Sequence, residues 1–197
     1  MIGIGTLDGG GVATFTTSSL SAGTHSLTAV YAGDGSFNGS TSSVDTQTVN
    51  AANTSTTLTS SPDPSVFGQA KVLTATVSPV APGAGVPTGS VTFFDGMTSL
   101  GTGTLDGSGV ATLSVSNLSV GSHALTAGYA GTADYNSSTS AVDTQTVTAA
   151  NTTTTLTSSP DPSVFGQAKV LTATVTAVAP GTGTPSGSVT FFDGMTS

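Results

Sequence analysis

The sequence predicts an all-β chain built from antiparallel β-sandwich units in tandem. Three observations carry this: period-two alternation of apolar and polar residues, Gly- and Pro-rich punctuation every 8–12 residues, and a long internal repeat. Thr, Val and Ser dominate, and no stretch shows the 3.6-residue apolar stripe of a packed helix.

The repeat fixes the organisation. The string PDPSVFGQAKVLTATV starts at Pro62 and again at Pro160, and SVTFFDGMTS starts at Ser90 and again at Ser188. TLDG at Thr6 returns at Thr104, and His25 returns as His123. Every pair is 98 residues apart, so the register never slips. That period exceeds the roughly 20–50 residues of a solenoid repeat and matches a whole sandwich domain. The expected division is a second half-unit over 1–49, a linker over 50–53, a complete domain over 54–147, a linker over 148–151 and a first half-unit over 152–197. Ser197 aligns with Ser99 and Ile2 with Leu100, so the two halves add up to one unit without gap or overlap.

Within the complete unit the first strand is expected over 56–60, closed by Pro62-Asp63-Pro64, because proline has no N–H for a ladder. The second covers 71–77 with Leu73, Ala75 and Val77 on one face, and 79–89 is a loop. A third strand over 90–94 ends at Asp95-Gly96, a tight-turn pair. A short strand over 100–105 leads into Asp106-Gly107-Ser108-Gly109. The next, over 110–115, places Ala111, Leu113 and Val115 together, a spacing that Ala13 and Phe15 keep in the earlier copy. The strand over 123–129 turns Leu125, Ala127 and Tyr129 inward, as Tyr31 is in its copy, and a last strand is expected over 138–147.

The ordered motifs TTTTLTSSPDPSVFGQ, SVTFFDG, LGTGTLDGSGVAT, LSVGSHALTAGYAG and S-x-x-V-D-T-Q-T-V make the chain resemble the bacterial Ig-like domain repeat family over essentially its whole length. The resemblance implies an immunoglobulin-like Greek-key β-sandwich, a non-catalytic spacer or adhesive role, and neighbouring repeats as partners. The Cys…Trp…Cys core of antibody domains is missing, and Ala75 and Ala127 are candidates for the two cysteine positions.

Composition excludes several function classes. Lys71 and Lys169 are the only basic residues against ten Asp, for a net charge of -8, so nothing supplies the cationic patch that nucleic acid requires. No apolar run approaches the roughly 18–20 residues of a membrane-spanning helix. Cysteine is absent, which removes disulfides, thiolate ligands and cysteine nucleophiles. Met1 is followed by no basic n-region and no long apolar run, so no signal peptide is visible, and the expectation is a fragment or export by another route.

No catalytic, cofactor-binding or metal-binding residues are expected. His25 and His123 read as structural corner residues bonding nearby backbone, as tyrosine does in a tyrosine corner. The segment Asp34-Gly-Ser-Phe-Asn38 has a faint calcium-loop look, but the chain has no Glu and the acid moves to Asp134 in the next copy. Lys71 falls on the face of Leu73 by alternation, a costly place for an ammonium. One reading is snorkelling at the strand's edge. The other is an isopeptide bond to a carboxylate on a neighbouring strand, with Asp143 the candidate partner. Asn38, Asn53, Asn117, Asn136 and Asn151 lie in glycosylation sequons, a weak signal in a Ser/Thr-rich chain.

These readings give an extracellular or cell-surface stalk, spacer or adhesive module. The alternatives are a head-to-tail filament in which the half-units of successive copies complete one another, and a carbohydrate-binding accessory module. The last is disfavoured by the absence of Trp and the presence of only three Tyr.

Overall fold

The computed structural model describes residues 1–194 and is all-β, so the last three residues of the expected C-terminal half-unit lie outside the described residues. The N-terminal half-unit contains β1 (Gly23–Leu27), β2 (Val30–Gly33), β3 (Asn38–Thr41) and β4 (Asp45–Val49). The central unit contains β5 (Thr54–Ser61), β6 (Ser65–Val66), β7 (Lys71–Pro79), β8 (Ser90–Asp95), β9 (Thr98–Thr104), β10 (Val110–Val115), β11 (Gly121–Tyr129), β12 (Ser138–Thr139) and β13 (Asp143–Thr148). The C-terminal half-unit contributes β14 (Thr152–Ser159) and β15 (Val170–Ala177).

Two sheets form the central unit. One is ordered β10-β7-β5, and the other β6-β13-β11-β8-β9 with β12 on β11. The chain changes sheet between β5 and β6, β6 and β7, β7 and β8, β9 and β10, and β10 and β11, which makes a sandwich rather than a meander. The inner faces are alternate residues, as period two demands. Leu73, Ala75 and Val77 from β7 and Ala111 and Val115 from β10 meet Val91, Phe93, Leu125, Ala127, Tyr129 and Val147 of the other sheet. Ala75 and Ala127 are both completely buried.

Three expectations are corrected. The strand expected over 138–147 is broken into β12 and β13, because Ser140 is buried with its Oγ accepting from Ala127 N at 3.0 Å and donating to the Ala141 carbonyl at 2.8 Å, which competes with the ladder. The Pro62-Asp63-Pro64 segment does not simply end the sheet: β6 follows it and pairs in parallel with β13 on the opposite sheet. Residues 12–17, which keep the spacing of β10, form no strand, and Phe15 is exposed.

The last difference has a physical cause that the repeat exposes. The string SVTFFDG is identical at 90–96 and 188–194, yet the first copy is β8 and the second is not a strand. β8 takes its ladder bonds from β9 and β11, whereas 188–192 finds no ladder partner among the described residues. Phe93 is fully buried while its copy Phe191 is 44% exposed, and Leu73 is fully buried while Leu171 is 45% exposed. Local features persist where long-range ones fail. Asp8 accepts from Gly10 N and Val12 N at 2.8 and 2.9 Å, and Asp106 accepts from Ser108 N and Val110 N at 2.8 and 3.0 Å. These bonds hold both carboxyls below the usual Asp range, Val12 and Val110 contributing most. Strand-pair registers persist too: Leu27 opposes Asp45 as Leu125 opposes Asp143, and Thr152 opposes Ala177 as Thr54 opposes Pro79.

Phe93→Ala is therefore expected to destabilise the central unit by about 3–5 kcal/mol, while Phe191→Ala changes its stability by less than about 0.5 kcal/mol. Urea unfolding of the two variants checks both values; equal losses contradict the assignment of the core.

Candidate functional site

Two places concentrate chemistry: a polar pocket of side chains at one end of the central core, and the junctions between units. The polar end is built by three strands. β7 begins with Lys71, β11 carries His123, and β13 carries Asp143 and Gln145. His123 opposes Gln145 and Leu125 opposes Asp143 on the paired strands, while Lys71 opposes Val115 at the end of β10.

Gln145 is fully buried. Its Nε2 shares two N–H groups among four acceptors within reach: the Pro62 carbonyl at 3.2 Å, Asp63 Oδ1 at 3.1 Å, Ser65 Oγ at 3.2 Å and the Thr146 carbonyl at 3.0 Å. Asp63 Oδ1 also accepts from Thr146 N at 2.9 Å. This amide therefore ties the proline-rich crossover to β13 and positions β6 for its parallel pairing. Sequence reasoning missed it, although a Gln inward by alternation between Asp143 and Val147 was the available signal.

His123 is buried at the corner that precedes β11. Its Nε2 donates to the Ser119 carbonyl at 2.9 Å and its Nδ1 donates to Asp95 Oδ2 at 2.7 Å. Both partners are acceptors, so the ring with two N–H groups satisfies both. Burial works against that charge, but the Ser119 carbonyl and then the Asp95 carboxylate outweigh it and hold the imidazole above its ordinary value; the charge of Lys71 opposes it weakly. His25 in the half-unit makes the corresponding backbone contact, Nε2 to the Ser21 carbonyl at 2.8 Å.

Lys71 does not snorkel. Its side chain is 1% exposed, because β7 continues into the sandwich with Lys71 on the same face as Leu73, and its Nζ has no hydrogen-bond partner. Burial pushes the amine below the usual lysine range. Asp143 Oδ2, Gln145 Oε1 and Ser60 Oγ are likewise buried without partners. Lys169, its copy, is exposed.

The Asp34 carboxylate serves a turn. Its Oδ1 accepts from Ser36 N and Phe37 N at 2.7 and 2.8 Å, and its Oδ2 accepts from Tyr31 Oη at 3.0 Å. Tyr31 is thus half-buried rather than in a core. Among the described residues no group of three or more His, Asp or Glu converges on a metal position.

The junctions are hydrogen-bonded, not slack. Ala52 N donates to the Asp134 carbonyl and Asn136 N to the Ala52 carbonyl, both at 2.8 Å, and Ala22 N reaches Asp134 Oδ1 at 2.6 Å. At the second junction Thr182 Oγ1 donates to the Gly68 carbonyl at 2.9 Å and Val178 N to the Asn151 carbonyl at 2.8 Å. Clefts of about 780 and 310 Å³ lie at the two junctions, the first against Tyr135 and the second against Phe67 and Val120.

This sandwich of two mainly antiparallel sheets with a polar corner defines an immunoglobulin-like module. The chain belongs to the bacterial Ig-like domain family, group 3, which matches residues 1–50 and 58–148. Among solved structures it is similar to the fibronectin(III)-like modules of Clostridium thermocellum CbhA, at 23% identity and a TM-score of 0.36, over 47% of this chain and 94% of that one. No curated protein matches it.

The raised pKa of His123 fixes a sign. Its contribution to stability is fully present below the ordinary imidazole value, about 6.5, and is lost as pH rises through the folded value. Stability of the central unit is expected to fall from pH 6 to pH 8, and His123→Gln to flatten that slope and cost about 1.5–3 kcal/mol at pH 6. Denaturant midpoints across the range check this; a wild-type slope retained in the variant would reassign it.

Proposed function

We propose that the chain is a non-catalytic stalk or spacer segment of an extracellular or cell-surface protein, in which Ig-like units are held end to end at short, bonded junctions. The observation that carries this reading is the hydrogen-bonded linker. Residues 50–53 are fastened to the loop carrying Asp134 and Asn136, and the next linker is fastened in turn to Val178. Such junctions restrict bending, which a spacer needs and a flexible tether does not. Sparse charge and Thr/Ser-covered outer faces suit an exposed sheet surface. A glycan-binding role draws little support: Tyr129 is buried with its hydroxyl donating to the Thr88 carbonyl at 2.9 Å, and Tyr135 is half-buried and bonded to the Ala84 carbonyl. Small-angle scattering is expected to give the profile of a stiff rod for the whole chain; a profile of freely jointed bodies argues against the spacer.

The exposed half-sheets favour a second reading, a self-assembling filament. Residues 2–49 copy 100–147, and 152–194 copy 54–96, the two segments that close on each other in the central unit. Leu156, Leu171, Val189 and Phe191 on one half and Leu7 and Phe15 on the other are exposed where their copies are buried or packed on the core. A second copy supplies the complementary face, and a head-to-tail contact of this kind propagates without closing. Size-exclusion chromatography and electron microscopy at increasing concentration separate the readings. Growth into filaments that Leu171→Asp abolishes supports assembly, and a monomer at high concentration removes it.

A further inference from the structure

We propose that Lys71 and Asp143 form an intramolecular isopeptide bond that staples the two sheets of the central unit together. The two residues belong to different sheets, β7 in one and β13 in the other, and both side chains point between them. Lys71 shares its face with Leu73, Ala75 and Val77; Asp143 shares its face with Gln145 and Val147.

Register puts them at the same end of the sandwich. Ser61 opposes Val72, so Lys71 begins its strand beside Pro62. The Pro62 carbonyl is bonded by Gln145, which lies two residues from Asp143 on the same face of β13. From the neighbouring strand, His123 opposes Gln145. The decisive observation is a complementary pair of orphans. Lys71 Nζ and Asp143 Oδ2 are both buried, each without a hydrogen-bond partner, and not in ion-pair contact with each other, so the bond forms after a side-chain rotation that closes the gap. An interior that leaves an amine and a carboxyl unsatisfied at one end of one core carries a large desolvation cost in their ionised forms. Condensation removes both charges at once.

The step balances without a further reactant. Transfer of one proton from the Lys71 ammonium to the Asp143 carboxylate leaves an amine and a carboxylic acid, and the amine Nζ attacks Asp143 Cγ. The Nζ–Cγ bond forms and the Cγ–Oδ2 bond breaks. One amine hydrogen leaves with the carboxyl OH as water, and an uncharged amide remains between the sheets.

The chain provides its own control. Lys169 is the copy of Lys71 and Asp45 the copy of Asp143, but they sit on separate half-units and both are exposed. Lys71 and Lys169 are also the only sites at which trypsin cuts. The whole chain, purified and fully denatured, is digested and weighed beside Lys71→Met and Asp143→Ala. The expected result is a wild type lighter by one water, resistant to cleavage at Lys71 and still cut at Lys169, with both variants at full mass and Asp143→Ala cut at Lys71. Full mass in the wild type, or cleavage at Lys71, overturns the proposal. Loss of one ammonia instead of water moves the bond to Gln145 and overturns the assignment to Asp143. Lys71→Met exchanges a buried amine for an apolar chain of similar length, so its mass remains readable if Asp143→Ala fails to fold.

Discussion

Closure of the three-stranded β10-β7-β5 sheet over the sheet containing β8, β11 and β13 is the interaction on which the rest of the molecule depends. Neither sheet can bury its alternate residues alone, and each inward side chain removed from water contributes roughly 1.5–3 kcal/mol when it is a Val, Leu or Phe. The unit supplies both sheets only because segments far apart in the chain return to each other. β5 and β7 come from its first half, whereas β10, β11 and β13 come from its second. The half-units at either end show what remains without that closure. Strand pairs, Asp-capped turns and the histidine corner persist, since each draws on bonds within a few residues or on one neighbouring strand. The ladder of β8 and the burial of Phe93 do not.

The same closure explains where polarity collects. A core of Leu, Val, Phe and Ala fills the middle, and the end near the Pro62-Asp63-Pro64 crossover is left to Gln145, His123, Asp95, Asp143 and Lys71. Gln145 and His123 convert this end into a bonded corner that ties crossover, β11 and β13 together. Lys71 Nζ, Asp143 Oδ2, Gln145 Oε1 and Ser60 Oγ are what the corner leaves unsatisfied.

Much of this was legible in the sequence, and the reasons differ by element. Alternation in KVLTATV and HALTAGY places Leu73, Ala75, Leu125 and Ala127 inward, because a strand's side-chain period is fixed by its backbone. The 98-residue offset separates the half-units from the central unit without knowledge of any contact. Long-range pairing was not legible. Nothing local in Ser65-Val66 announces a parallel pairing with β13, and nothing in SVTFFDG distinguishes its strand copy from its unpaired one. Alternation placed Lys71 inward, but the loss of solvent at its Nζ follows from how the crossover and β13 cover that end. The Asp95 partner of His123 was hidden for a similar reason, since it arrives from β8 on the other side of β11.

Native-state hydrogen exchange on the paired copies reads this dependence most directly, at a concentration where the chain is monomeric. Amides of 90–94 are expected to exchange only through global opening of the central unit, and those of 188–192, identical in sequence, to exchange close to the unprotected rate. Equal protection of the two copies would contradict the account, because it would mean that the segment carries its strand without the opposing half.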